Sequence, residues 1–560
     1  MAEYDLVVRG GTVLDGSGAD GVAQDIAVND GVIVELGRVS GKGRRELQVD
    51  GALVTPGFVD IHTHYDGLAT WSSRMYPSSH HGVTTAVMGN CGVGFAPVKP
   101  TDHEVLVELM EGVEDIPGTA LHEGLPWAWE TFPEYLDFLS SRSYDMDIAT
   151  QLPHAALRVY VMGLRGAQRE AATEADIAWM RQITTEAIKA GALGFSSSRT
   201  LNHRSITGEP TPTLTAAEAE LVGIAKGMAQ AGTGVIEMIS DFEVIDSEFD
   251  RLMAMADAAN APMSISLGQA GRNPERWRRI LNKIDAANVN GRLVKGQVAP
   301  RAIGLLMGLT SSRHPFMECD AFKDIEHLSL TAKVAAMQGA EFKRRLLQQV
   351  LENESFERVW VVNDRFNYEP DPSSSIASLA ISVGKSAAEF AYDAMLEADG
   401  TRLLYTPIVN YAHGNLEVCR EMILAENTVM GLGDGGAHVG LICDASFVTF
   451  LLTHWGRDRE VGRIPLAQLV KAQTLDTASA VGLNDRGLIQ QGKKADLNVI
   501  DFDNLKLAPP RTVYDLPSGA GRLEQPTEGF LATIVSGVMT YADGEPTDQL
   551  PGKLVRGQQA

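Results

Sequence analysis

Cysteine is scarce in this chain, and the little there is carries no pairing pattern. Cys91, Cys319, Cys419 and Cys443 are the only four among 560 residues, and none belongs to a CxxC pair. No disulfide framework is indicated, and a reducing compartment fits. The opening Met-Ala-Glu-Tyr-Asp-Leu-Val-Val lacks the basic start and apolar stretch of a signal peptide, and no uninterrupted apolar run is long enough to span a bilayer. A cytoplasmic protein without a membrane partner is therefore expected. Positive charge is also in short supply. Against 48 basic residues stand 72 acidic ones, a formal charge of −24, which repels nucleic-acid phosphates and argues against a nucleic-acid partner. No GxGxxG falls between a strand and a helix, so a dinucleotide site is unsupported. Repeats and low-complexity linkers are missing too.

What is present reads as two textures. Residues 4–55 are short alternating strands separated by turns, such as Asp5-Leu-Val-Val-Arg9 before Gly10-Gly11, and a similar texture returns in Ala495-Asp-Leu-Asn-Val-Ile-Asp501 and over 532–541. Two β-rich ends around a different middle predict one β-sandwich unit built from both termini, 1–55 plus 484–560. In the middle, 56–483, helical stretches at 173–189, 215–230, 248–260 and 416–426 each lead into a short apolar strand. That alternation predicts a parallel sheet. Candidate chemical residues sit at the ends of strands far apart in sequence. A closed (β/α)8 TIM barrel, which gathers all strand C-termini on one rim, therefore fits better than an open sheet. The expected class is α/β. Two segments, near 98–145 and 285–375, exceed ordinary connections and are expected as insertions at the rim.

The chemistry starts at His62-Thr63-His64, directly after the strand-like Gly57-Phe58-Val59-Asp60-Ile61. Residues two apart on a strand share a side, so both imidazoles leave one strand end together and suit a divalent metal, zinc first and iron second. The β-branched run from Gly82 to Gly89 ends in Asn90-Cys91-Gly92. Cys91 therefore lands on the same rim, as a ligand, a bridge between ions or an ordinary buried thiol. A third strand end, Val429-Met-Gly-Leu-Gly-Asp434-Gly-Gly-Ala-His438, offers a carboxylate flanked by glycines. Such a group can touch a metal and take a proton from water. His203, after the expected fourth strand, should also face the rim, and His154 is a weaker candidate there.

These stretches resemble the amidohydrolase superfamily, and within it the N-acyl-D-amino-acid deacylase (D-aminoacylase) branch. The resemblance is carried by Val54-Thr-Pro-Gly-Phe-Val-Asp-Ile-His-Thr-His64, by Gly82-Val-Thr-Thr-Ala-Val-Met-Gly-Asn-Cys-Gly-Val-Gly-Phe-Ala-Pro97 and by Gly433-Asp434-Gly435. At the ends it is carried by Leu6-Val-Val-Arg-Gly-Gly-Thr-Val-Leu-Asp15, Gly492-Lys-Lys-Ala-Asp496 and Val535-Ser-Gly-Val538. It implies a metal-bearing barrel with His62 and His64 as first-strand ligands, Cys91 as the cysteine ligand, and Asp434 as both ligand and catalytic base. One departure stands out. The branch supplies a histidine from each of the fifth and sixth strands, whereas here those stretches, 234–241 and 262–269, contain none. One ion held by His62, His64 and Asp434 is one outcome. A second site completed by His203, Glu237, Asp241, Gln269, His413 or His438 is another.

The function expected on this basis is hydrolysis of a C–N amide bond in an N-acyl amino acid or related small acyl compound. Water activated by the metal attacks the carbonyl, and Asp434 serves as general base. An ester or thioester hydrolase on the same site is the alternative, because a thiolate or alkoxide leaves more easily. A barrel scaffold without catalysis is the third reading. The substrate is a small molecule, and a homo-oligomer is left open.

Overall fold

The computed structural model describes residues 2–350, 355–364 and 366–559. Eight parallel strands form a ring. They are β1 (Phe58–Asp60), β2 (Val83–Met88), β3 (Asp147–Thr150, resumed at Leu152–Pro153), β4 (Gly194–Arg199), β5 (Val235–Ser240), β6 (Met263–Ser266), β7 (Val294–Val298) and β8 (Thr428–Met430). Each pairs in parallel with the next. The ring closes just beyond β8, where Gly435 bridges Thr63 in parallel, the Asp434 N–H donates to His62 O at 2.9 Å and the His64 N–H donates to Gly435 O at 2.7 Å. Closure thus runs through the two segments that carry the candidate ligands, and strand register alone sets Asp434 opposite the histidines.

Local sequence explains the elements. β2, Val-Thr-Thr-Ala-Val-Met, is buried at every position and rich in β-branched residues, as a two-sided buried strand requires. Helix Glu174–Ala190 begins at a capping box between Thr173 and Asp176 and stops at Gly191, whose φ is +116°. A Cβ at Gly191 would meet the Arg556 side chain at 2.5 Å, so the stop also admits the C-terminal tail. Helices Glu218–Ala231, Ile245–Ala259 and Glu417–Leu424 fall within a few residues of the expected ranges.

Strands from both chain ends pair with one another. A seven-stranded sheet sets Leu497–Ile500 between Leu53–Pro56 and Phe530–Val535. Across from it lies a four-stranded sheet of Tyr4–Arg9, Asp25–Asn29, Val32–Gly37 and Gly43–Gln48. Leu6, Val8, Ile26 and Ile33 meet Val54, Leu497, Val499 and Ile534 in the shared core. The hairpin Phe530–Val535/Val538–Ala542 turns on Ser536-Gly537, both at positive φ, the geometry that matches strand twist.

The range 484–560 holds more than sheet. Hairpin Arg511–Val513/Arg522–Glu524 leaves it, with Thr512 reaching Thr310 and the Leu523 N–H donating to Val439 O. Residues 552–559 run back along the barrel, where the Val555 N–H donates to Ile148 O. The 98–145 segment carries helices His103–Glu114, Gly118–Gly124 and Phe132–Ser140. The 285–375 segment differs from expectation, because β7 lies inside it. Lys295 and Gly296 interrupt the apolar run there and hide the strand. The chain leaves the barrel only after Val298, forms an antiparallel sheet from Ile303–Met307, Trp360–Val361 and Leu404–Val409, and packs helices over a separate core of Phe316, Phe322, Tyr392 and Met395 before returning. Among the described residues no helix is long and apolar enough to cross a membrane.

Candidate metal centre

His62, His64 and Cys91 are all buried, and one ligand atom from each lies within 4.8 Å of the others. Cys91 Sγ is 3.3 Å from His62 Nε2. Asp434 joins them, its Oδ1 3.3 Å from His62 Nε2 and 3.7 Å from His64 Nε2. The Asp434 side chain is 14 % exposed, the most open of the four and the one best placed to meet a substrate. The backbone is unusual at this spot. Cys91, Leu432, Asp434 and His438 all take positive φ between 47° and 58°, a conformation that costs non-glycine residues energy and gathers at functional sites.

The His62 ring is fixed from behind. Its Nδ1–H donates to Gln297 Oε1 at 2.7 Å, and Gln297 Nε2 donates to Ser264 Oγ at 2.7 Å. With the proton held on Nδ1, the Nε2 lone pair faces Cys91 and Asp434, as a metal ligand requires. Glu237 lies on β5, the strand without a histidine. Its Oε2 accepts the Cys91 N–H at 2.8 Å and its Oε1 is 4.0 Å from His62 Nδ1. The last residue of helix His103–Glu114 also enters, with Glu114 Oε1 3.2 Å from His64 Nδ1.

The electrostatics favour a cation. Burial pushes the Cys91 thiol well up, and the charges of Glu237, Glu114 and Asp434 push it further. A metal ion is what would reverse this and make the sulfur a thiolate. Burial takes the His64 imidazole down to about 4, leaving it neutral and able to ligate. Two imidazoles, a thiolate and a carboxylate make a nitrogen- and sulfur-rich donor set of the kind zinc prefers.

The remaining candidates divide. His203 reaches Ser198 Oγ through Nδ1 at 3.0 Å. Burial, then the neighbouring His438 and His64, take it down to about 3, so it faces the centre as a neutral ring. His438 is 29 % exposed, 3.9 Å from Glu114 Oε2. Asp241 is turned elsewhere. It accepts from Thr200 Oγ1 at 2.5 Å and from the Leu201 N–H at 2.8 Å, shaping the loop that carries His203. Gln269 is occupied at both ends, its Oε1 accepting from the Ala412 N–H at 2.9 Å and its Nε2 facing Pro274 O. His413 is 55 % exposed and sits 3.5 Å from the exposed Glu275. A strand-end position aims a residue at the rim, but neighbouring backbone donors claimed Asp241 and Gln269 first. His154 lies between Ser197 Oγ and Glu220 in a buried ion pair with Arg158.

Sequence reasoning missed Glu114 and Gln297. Glu114 continues the buried face of its helix at the spacing of Val107 and Met110, so an acid at a core position was the available signal. Gln297 is a lone amide in an otherwise buried strand.

Residues 47–359 and 372–547 match the family model described as Amidohydrolase family. The chain is 27 % identical to D-aminoacylase of Alcaligenes xylosoxydans xylosoxydans over 568 residues, covering 99 % of this chain and 97 % of that one. A solved D-aminoacylase, studied for its binuclear metal centre with one-metal activation and second-metal attenuation, aligns with a TM-score of 0.66 at 23 % identity, covering 99 % of this chain and 100 % of that one. N-acyl-D-glutamate deacylase of Bordetella bronchiseptica, solved with zinc and a phosphonate mimic of the tetrahedral intermediate, aligns with a TM-score of 0.64 at 20 % identity, covering 99 % of each.

Proposed function

Because this chain belongs to the amidohydrolase family, we propose that it hydrolyses the C–N amide bond of an N-acyl amino acid or a related small acyl compound, with one divalent ion held by His62, His64, Cys91 and Asp434. The observation that carries this reading is the convergence of two imidazoles, one thiol and one carboxylate on the barrel rim. Zinc is the ion the donor set suits, and the deacylase relative named above holds zinc. One firmly held ion is favoured over two, because Gln269 and Glu237 are tied to the backbone at the strand ends where further ligands would be needed.

The ion, when bound, supplies Lewis acidity that makes a water nucleophilic near neutral pH and polarises the acyl oxygen. The chain's own groups do the rest. Asp434 accepts the proton of the attacking water and returns it to the departing nitrogen, which cannot leave as an anion. His62 stays oriented through Gln297. His203 and His438 flank Asp434 and are available to hold substrate oxygens. The sandwich of 1–55 with 484–560 and the barrel of 56–483 are read as two units of one enzyme, and the insertions as walls of the substrate site.

The occupied Gln269 also keeps the thioester or ester alternative in view, since easier leaving groups tolerate a sparser site. The test is zinc content of the purified protein together with a panel of N-acyl D- and L-amino acids, acyl esters and acyl thioesters. Release of free amino acid from the amides is expected. The double variant His62→Ala/His64→Ala is expected to lose zinc and turnover together. Full zinc content in that variant would refute the site, and turnover of esters or thioesters alone would refute the amide reading.

A further inference from the structure

Helix His103–Glu114 belongs to the 98–145 insertion, yet its last residue, Glu114, and the next, Asp115, connect the centre to the outer rim. Glu114 is buried, with Oε1 3.2 Å from His64 Nδ1 and Oε2 3.9 Å from His438 Nε2. His64 Nδ1 is itself buried and makes no aligned hydrogen bond, so the 3.2 Å approach is close but out of line. Asp115 follows at φ +50°, which turns its side chain away from that of Glu114. Its Oδ2 accepts from Ser312 Oγ at 2.8 Å and from the Gly440 N–H at 3.1 Å. Gly440 lies two residues past His438 and Ser312 lies in the second insertion. Two consecutive acids thus point opposite ways, one into the centre and one into the joint between three rim segments.

An imidazole that ligates through Nε2 carries its proton on Nδ1, and an acceptor at that proton fixes the ring and raises its basicity. His62 has a neutral amide in this role. His64 has a carboxylate within reach and nothing else aligned. Resting on the reading of His64 as a ligand, we infer that Glu114 is a positioning residue: its carboxylate takes the His64 Nδ1 proton in a hydrogen bond, steadies His438 with its second oxygen, and so makes the 98–145 insertion a structural part of the metal centre. The Asp115 ties set how deep Glu114 reaches.

The test is zinc affinity of the full-length protein, read by competition with a chromophoric chelator, together with the absorption spectrum of the cobalt-substituted form. Glu114→Ala is expected to weaken zinc binding by about 10- to 100-fold and to shift the cobalt bands. Glu114→Gln keeps an acceptor oxygen at the same reach and is expected to recover most of the affinity. Glu114→Asp keeps the charge but shortens the reach, and is expected to bind more weakly than Gln. This ranking reads the inference even if the alanine variant does not fold. Wild-type-like affinity in folded Glu114→Ala, or tighter binding by Asp than by Gln, overturns it while leaving the functional reading intact. A wild-type protein that takes up no zinc overturns both.

Discussion

Replacing Asp434 with Asn isolates its proposed part as a proton acceptor. The two side chains have the same shape, and the backbone bond from Asp434 N–H to His62 O at 2.9 Å does not depend on the side chain. Asn also tolerates the positive φ of 47° at this position. The barrel closure should therefore survive, and thermal unfolding should stay close to wild type. What disappears is the negative charge and basicity of the carboxylate whose Oδ1 lies 3.3 Å from His62 Nε2 and 3.7 Å from His64 Nε2. A positioned general base is worth about 10²- to 10⁴-fold, or roughly 2.7–5.4 kcal/mol of barrel-rim catalysis at about 1.36 kcal/mol per decade. The expected fall in kcat is of that size. It must be measured at saturating zinc, because the carboxylate is also a proposed ligand. The pH dependence adds a second check. Burial alone would raise the Asp434 carboxyl, but the neighbouring His64, His62 and His438 imidazoles outweigh it and hold the group below the usual carboxylate range. It is therefore ionised throughout the working range, and an acid limb near pH 4 cannot come from it. Folded Asp434→Asn with kcat within tenfold of wild type, zinc saturated, would refute its role as base.

Two further outcomes are expected. Gln297→Met removes the acceptor of the His62 Nδ1 proton while preserving bulk; zinc affinity should fall by about 10- to 100-fold in chelator competition, and unchanged affinity would show that the tautomer is set by something else. Asp147, on β3, is buried against Arg486 Nη1 at 2.8 Å and Lys494 Nζ at 3.2 Å. Burial works to raise its carboxyl, but Lys494 and Arg486 prevail and lower it, so its stabilisation is complete above the ordinary carboxylate value of about 3.9 and fades as pH falls through the lower folded value. Asp147→Asn should cost about 3 kcal/mol or somewhat more at pH 7 in denaturant unfolding, since Asp485 and Asp496 remain as partial partners for the two cations. That gap should narrow in acid, and a gap constant with pH would disprove the ion-pair account.

The legible parts of this molecule were those where chain geometry alone fixes an outcome. His62 and His64 share a strand end because strand periodicity is two, and Cys91 follows a run whose β-branching marks a buried strand. Gly433-Asp434-Gly435 follows the last strand, and parallel closure brings it beside the segment after the first. The unclear parts depended on competition between partners. Gln269 and Asp241 occupy rim positions as expected, but donors from residues 412 and 200–201 hold them. No spacing rule records which donor arrives first. β7 escaped notice because a lysine and a glycine broke its apolar pattern, and with it went Gln297, the residue that orients His62. Glu114 escaped because the insertion that delivers it has no strand register to read.

The charge balance of the rim gives an independent reason to expect a cation. Four buried carboxyl groups, those of Asp60, Asp66, Glu114 and Glu237, and the 14 % exposed Asp434 lie in the segments around His62 and His64. Burial drives Asp60 and Asp66 up to about 7 and Glu114 well above its ordinary value, with Asp434 adding to the rise at Asp60 and Glu114. Burying an unpaired charge costs several kcal/mol, so a chain that keeps this many acids in one dry cluster requires either protons or a positive ion there. Backbone donors explain part of it, since Asp60 accepts the His62 N–H at 3.1 Å and Asp66 the Gly89 N–H at 3.1 Å. Those two acids brace the strand ends. They do not account for a thiol, two imidazoles and Asp434 meeting at a point where no lysine or arginine is hydrogen-bonded to any of them among the described residues. A divalent ion at that point would let sulfur and carboxylate both be anionic at neutral pH, which is the state the proposed chemistry needs.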